Sequence, residues 1–287
     1  MPIKEKLDKD LVNALTSLYI DHTWLADRSD EVIELFDFCK DGSEQELLIQ
    51  LLKLFEFITP ERYQECLNSI CEKITARWGL KESETMLVSL SANEEADSGQ
   101  LILYDLRTTL SHRHGWLQTK TVNTFGKAQK FAHTRPNVVL VDEFLGTGRS
   151  LVGRITEIRK QFNNKGIQTF NIYACIVAGM SFGLEKVKLE TGIDPFSVKV
   201  CRKGISDLLP DDKRAEGRTL MTAMEDRLAQ QYCGVALPRF GDGNGEALYG
   251  RQSGNCPNTV FPLFWWPRTS DEKVRKTLLS RNIGASD

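Results

Sequence analysis

One stretch constrains this chain more than any other: Val138 to Ser150, VVLVDEFLGTGRS. A short apolar run, Asn137 to Val141, has the look of a strand buried on both faces of a parallel sheet. Two adjacent acids, Asp142 and Glu143, follow it. A turn of small and hydroxyl residues comes next, and then a helix from about Ser150 to Phe162 that Asn163-Asn164-Lys165-Gly166 ends. Thr169 to Val177 (TFNIYACIV) is a second apolar strand. Strand, helix and strand within about 40 residues make a βαβ unit, so the chain is expected to build an open α/β sheet.

Such sheets bind ligands beyond the carboxyl ends of their strands. Glycines at Gly146 and Gly148 let backbone N–H groups approach an anion, and the following helix start favours negative charge. Thr147 and Ser150 add hydroxyls, and Arg149 adds a cation. Carboxylates just before this turn can accept hydrogen bonds from sugar hydroxyls. The unit therefore suits a sugar phosphate, against the plain alternative of a strand-to-helix turn. Two other phosphate motifs fit worse. A GxxxxGK[ST] loop requires a lysine that is missing here, and GxGxxG requires a third glycine where Leu151 stands.

The flanking sequence supports the same class. Residues 1–79 read as helical, with Leu11, Leu15 and Leu18 at helical spacing and a second helix over Asp30 to Cys39. Ser43 and Glu46 form a candidate capping box ahead of LLIQLLKLFEFI, read as one buried helix. Pro60 opens another helix that Gly79 stops. Thr85 to Leu90 (TMLVSL) reads as a strand, Ser91 to Gly99 as an acidic loop, Gln100 to Thr109 as a helix and Thr119 to Phe125 as a strand. Ser197 to Cys201 is a further strand and Arg214 to Tyr232 an amphipathic helix. The last 50 residues read as loops. Residues 80–287 are taken as one α/β domain and 1–79 as a helical region before it.

Composition excludes some functions. With 37 basic and 39 acidic residues, a net charge of −2 argues against general binding to nucleic acid. No apolar run approaches the roughly 18 residues of a membrane span, and the charged MPIKEKLDKD start lacks a signal-peptide core. A cytoplasmic protein is expected. Seven scattered cysteines without CxxC spacing read as reduced, partly buried thiols.

The pattern VLVDEFLGTGRS resembles the phosphoribosyl pyrophosphate signature of type I phosphoribosyltransferases. The family usually carries aspartate at the second acid, where this chain has Glu143, whose longer arm still reaches a diol. The resemblance implies the family's α/β parallel sheet with flanking helices. It also implies that Asp142 and Glu143 hold the ribose hydroxyls and, with Mg²⁺, take part in catalysis, while Gly146, Thr147, Gly148, Arg149 and Ser150 hold the 5′-phosphate. Ser98 and Gly99, at a helix start after the acidic loop with Glu94, Glu95 and Asp97, would receive the pyrophosphate. A solvated acidic loop with a helix cap is the alternative. Ser111 to Lys120 (SHRHGWLQTK) would be the closing loop, with Arg113 and Lys120 as its cations beside His112 and His114. An ordinary basic surface loop is equally open.

The tail alternates Arg239, Arg251, Asn255 and Asn258 with Phe240, Tyr249, Phe264, Trp265 and Trp266. Either a base stacks on these rings or they lie buried under the loop. GNCPN and PLFWW more loosely resemble phosphoribosyltransferase-like proteins of bacterial antiphage systems, some retron-associated. The expected activity is transfer of ribosyl phosphate from phosphoribosyl pyrophosphate, or a related phosphosugar or nucleotide, to a nucleobase or similar acceptor, as an effector in antiphage defence. The alternative is a non-catalytic nucleotide- or phosphosugar-binding regulator, or a partner-controlled accessory subunit. The N-terminal helices are the expected surface for a protein partner, homo-oligomerisation stays open, and no direct contact with nucleic acid or membrane is expected.

Overall fold

The computed structural model describes residues 9–90 and 98–283. In chain order its elements are α1 (Lys9–Asp21), α2 (Ser29–Asp37), α3 (Gly42–Lys53), β1 (Glu56–Ile58), α4 (Pro60–Glu72), β2 (Thr85–Ser89), α5 (Ser98–Ser111), β3 (Lys120–Val122), β4 (Asn137–Leu145), α6 (Arg149–Asn164), β5 (Asn171–Met180), α7 (Ser181–Thr191), β6 (Phe196–Cys201), α8 (Asp211–Glu225), β7 (Gln231–Tyr232), β8 (Val235–Ala236) and β9 (Tyr249–Arg251). They sort into two compact units: Met1–Thr59 together with Lys203–Asp287, and Pro60–Arg202. The boundary drawn from sequence at residues 79 and 80 lies inside the second of these.

The unit Pro60–Arg202 is an α/β layer structure. Its sheet has five strands in the order β3-β2-β4-β5-β6, and every neighbouring pair is parallel. All five residues of β2 are buried, as expected when helices cover both faces. Val138 and Leu140 pack on one face with Leu151, Ile155 and Phe162 of α6. Val139 and Val141 pack on the other with Ile70 of α4 and Ile102 and Leu106 of α5. The alternation of side chains along β4 separates these two clusters. From β2 the chain crosses to β3 at one edge and returns to β4 on the other side of β2. The strand order therefore reverses between β2 and β4, which makes a crevice at their carboxyl ends.

In the other unit the two ends of the chain build one core. The segment LLIQLLKLFEFI is not one helix. The helix stops at Lys53, and Glu56–Ile58 forms β1, paired in parallel with β9. Phe55 and Phe57 explain the switch, because an extended chain delivers both rings to aromatic partners. Phe57 stacks on Trp24 at 4.1 Å between centroids, and Phe55 meets Phe264 edge-on at 5.5 Å. The capping box also moves. Asp41 caps α3, its Oδ1 accepting from the N–H groups of Ser43 (3.0 Å) and Glu44 (3.1 Å). With Asp41 in that role Ser43 is already helical, and Glu46 accepts from the Gln50 amide instead.

The tail is core material although it has little regular structure. Tyr249, Phe261, Phe264 and Trp266 are fully buried, and the Trp265 indole N–H donates to the Val260 carbonyl at 2.9 Å. Two arginines flank the Phe38 ring: the Arg227 guanidinium carbon is 4.9 Å from its centroid and that of Arg275 is 4.6 Å away. Arg227 also grips Glu44 through two hydrogen bonds of 2.9 and 2.6 Å. α8 is shorter than the sequence suggested and ends at Glu225. Among the described residues no helix is long and apolar enough to cross a membrane.

Candidate functional site

The strand carrying the acid pair runs further than its apolar residues suggested. Pairing of β4 with β5 continues through Asp142 and Phe144 to Leu145. Ser89, the last residue of β2, pairs with Val141, so Asp142 is the first residue of β4 beyond the end of its neighbour. The acids thus stand at the switch-point crevice.

Because both acids belong to the strand, they project to opposite faces. Asp142 shares the face of Val138 and Leu140, where α6 packs. Glu143 shares the face of Val139 and Val141, where α5 packs. Asp142 is half-buried and Glu143 is buried. The Glu143 N–H donates to Asp142 Oδ1 at 2.7 Å, which fixes the aspartate's rotamer against its own backbone. The pair does not open as one two-pronged clamp. Each acid is aligned with the face of a different helix.

The turn after β4 is shaped by backbone approach. Gly148 is the N-cap of α6 and takes a left-handed conformation, φ 77°. That conformation suits glycine because it has no Cβ. A glycine cap also supplies no side-chain acceptor to the start of this 16-residue helix, the end that favours an anion. Gly146 and Thr147 are half-buried, while Arg149 and Ser150 are exposed at the first two helical positions. Arg149 Nε donates to Thr147 Oγ1 at 3.1 Å, holding the two side chains together over the turn.

A residue not singled out from sequence completes this packing. Gly183, in the first turn of α7, lies against the turn. A Cβ on Gly183 would run into the Gly146 carbonyl. Nothing in the sequence around Gly183 marks it, since a glycine in a helix is otherwise only a weak helix former. Arg154 was missed as well: its Nε donates to the Leu90 carbonyl at 3.2 Å, tying α6 to the carboxyl end of β2.

The proposed pyrophosphate loop is only partly described. Glu94, Glu95 and Asp97 lie outside the described residues. Ser98 begins α5 and Gly99 is buried in its first turn, following β2 at the crevice edge of the sheet.

Arg113 and Lys120 are not brought to the crevice. Ser111 to Lys120 joins the end of α5 to the start of β3, and Lys120 pairs with Met86 at the beginning of β2. In a parallel sheet the connection entering a strand lies at its amino end, opposite the ligand edge. The segment is also held by local bonds. Arg113 N–H donates to the Leu110 carbonyl at 2.7 Å, Trp116 is buried, and the Lys120 ammonium sits 3.7 Å from the Phe131 centroid. The segment leaving β3 is the one at the carboxyl edge. Its 3₁₀ turn, Phe125–Lys130, offers exposed Lys127 and Lys130. Lys130 adjoins Phe131, the ring that Lys120 reaches from the amino edge, so of the two Lys127 follows the carboxyl end of β3 more closely.

The tail rings named from sequence are buried: Phe240, Tyr249, Phe264, Trp265 and Trp266 are all at 7% exposure or less. No base stacks on them in this arrangement. Among the described residues no group of three or more His, Cys, Asp or Glu forms a metal cage.

A family model described as PRTase-CE matches residues 22–281. No curated protein matches the chain. Solved structures similar to it include the Helicobacter pylori xanthine-guanine-hypoxanthine phosphoribosyltransferase, at 10% identity over 51% of this chain and 89% of that one, with a TM-score of 0.34. Orotate phosphoribosyltransferase from Aeropyrum pernix matches at 14% identity, over 49% and 71%, with a TM-score of 0.30. The APRTase from Giardia lamblia complexed with 9-deazaadenine matches at 17%, over 47% and 78%, with a TM-score of 0.30.

Proposed function

On the premise that the chain belongs to the PRTase-CE family, we propose that the Pro60–Arg202 unit binds phosphoribosyl pyrophosphate with Mg²⁺ and transfers its ribosyl phosphate to a nucleobase or similar acceptor. The observation that carries this reading is the meeting of Asp142 and the uncapped α6 helix start at the switch point between β2 and β4.

In this reading the N–H groups from Gly148 to Ser150 hold the 5′-phosphate, and the helix dipole adds to their attraction. Arg149, bridged to Thr147, caps the same anion. The Asp142 carboxylate accepts from a ribose hydroxyl on the α6 face. Glu143 acts from the other face, toward α5, where Ser98 and Gly99 begin the helix assigned to the pyrophosphate. Bond cleavage at the ribosyl carbon builds positive charge on the sugar ring, as in glycoside cleavage, and the fixed carboxylates favour that charge. Lys127 balances the departing pyrophosphate.

The donor set fits Mg²⁺. This ion typically takes one or two protein carboxylates and fills its shell with substrate phosphates and water, and half-buried Asp142 offers one at the crevice. When bound it supplies charge neutralisation for the pyrophosphate leaving group.

Calorimetry with phosphoribosyl pyrophosphate and Mg²⁺ tests the proposal. Binding by the wild-type chain that is lost in an Asp142→Asn/Glu143→Gln variant is expected. No binding, or equal binding by the variant, overturns it. Binding without pyrophosphate release against any base would instead support the non-catalytic regulator. A role as an antiphage effector further predicts toxicity on expression that the same double change abolishes.

A further inference from the structure

The unit built from the two chain ends holds a cavity of about 380 Å³ beside β9, within the size range of small-molecule sites. Arg28 and Arg251 both line it, and its described lining contains no acid. We infer that this cavity is a binding site for a nucleoside monophosphate, independent of the site at the ends of β2 and β4.

The floor is apolar and tight. Leu279 and Cys256 are buried there, and a Cβ on Gly250 would lie 2.9 Å from Leu279 Cδ2 and 3.2 Å from the Phe57 ring. Glycine at this position lets the β9 backbone pack directly onto Leu279 and Phe57 beneath the cavity. A second glycine shapes the wall. A Cβ on Gly254 would stand 3.2 Å from Arg251 Nε, so the bare loop lets the Arg251 side chain fold over it.

The arginine on the other side is held in place. Arg28 Nη1 donates to the Leu278 carbonyl at 2.7 Å, and its guanidinium carbon lies 5.6 Å from the Phe57 centroid. The fork carries five N–H donors, so this anchoring leaves further donors for a ligand. A fixed guanidinium loses little freedom on binding, and its fork matches a phosphate. The Asn282 N–H donates to Asn255 Oδ1 at 2.9 Å, which ties the two lining segments and orients the Asn255 amide. Amides and serine hydroxyls around an apolar floor suit the edges of a base and a ribose.

The full chain should be titrated calorimetrically with AMP and with GMP, alongside two variants. Ser280→Glu places a negative charge at an exposed position on the rim, and Arg28→Gln removes one guanidinium. Binding of at least one nucleotide by the wild-type chain is expected, weakened about tenfold or more by Ser280→Glu and by Arg28→Gln. If Arg28→Gln does not fold, Ser280→Glu decides alone. The inference is overturned if neither nucleotide binds or if Ser280→Glu binds as the wild type does. Phosphoribosyl pyrophosphate with Mg²⁺ titrated into the wild type and Ser280→Glu should bind both within about twofold, so either assignment can fail without the other.

Discussion

The position that a Cβ would occupy on Gly148 is 2.6 Å from the carbonyl oxygen of Gly183. The turn proposed to present its N–H groups to an anion is thereby pressed against the first turn of α7. Alanine at 148 would meet both this contact and a positive φ. The expected loss of stability is about 2–3 kcal/mol for Gly148→Ala and a similar amount for Gly183→Ala. Gly153 is the contrast, because a Cβ there meets nothing within 4 Å. Gly153→Ala should gain about 0.5–1 kcal/mol as an exposed helix position. Urea unfolding of the three variants gives the ranking.

The two acids face opposite sides of the sheet, so their single substitutions should not be equivalent. Asp142→Asn, on the face of the α6 start, is expected to weaken phosphoribosyl pyrophosphate about tenfold or more, the scale of a lost charge-assisted hydrogen bond. Glu143→Gln should weaken it less. Removing Mg²⁺ with a chelator should act in the direction of Asp142→Asn. Equal losses for the two single variants in calorimetry would argue for a joint clamp.

Placement at the amino edge of the sheet predicts a silent result for the cations first named from sequence. Arg113→Ala and Lys120→Ala should leave affinity for phosphoribosyl pyrophosphate within about twofold. Lys127→Ala should lower it severalfold, with a larger effect at low salt. The same titrations measure both.

Arg227 and Glu44 form a buried, two-bond ion pair. Burial alone would raise the Glu44 carboxyl. The Arg227 hydrogen bonds and charge, with the Lys40 N–H, outweigh it and hold the pKa below the ordinary value. A depressed carboxylate pKa stabilises the fold above the unfolded-state value, and that stability is lost as pH falls through the folded value. Arg227→Met should cost about 3–5 kcal/mol near neutrality, because it strands a buried charge. Relative to wild type, that cost should shrink toward pH 3 in denaturant titrations.

Glu225 has the opposite sign. Burial pushes its carboxyl up to about 8 from an ordinary 4.5, against the Phe240 N–H and the charge of Arg239. A raised folded value means that stability is full below pH 4.5 and is lost as pH rises through about 8. Glu225→Gln keeps an acceptor for the Phe240 N–H and removes the ionisation. It should match the wild type near pH 5 and exceed it at pH 9, as read from unfolding midpoints.

Residues whose role is local were legible in the sequence. The strand-turn-helix around Asp142 could be read because each part depends on near neighbours: apolar run, acids, glycines, helix start. The β2 and β5 strands and the α6 helix follow the same logic. The structure places Ser111 to Lys120, read as a closing loop, at the amino edge of the sheet, and the sequence contained the means to see this. Once Thr119 to Phe125 is a strand in a parallel sheet, the segment before it belongs to the amino edge. Residues whose partners are far along the chain were not legible. Phe55 and Phe57 looked helical until Trp24 and Phe264 drew them into an extended chain. Gly183 has meaning only through Gly146 and Gly148.

One unit draws its core from both ends of the chain, as the Arg28 bond to Leu278 across 250 residues shows. During synthesis, Trp24, Phe55 and Phe57 leave the ribosome long before Phe264 and Leu279 exist. The intervening Pro60–Arg202 segment can complete its own sheet first, since domains generally fold as units in the order they emerge. The N-terminal helices must then wait with apolar surface uncovered, and this protein should lean on chaperones until Phe264 and Leu279 are made. A stop codon near residue 250 would strip these partners from the first 59 residues as surely as deleting them.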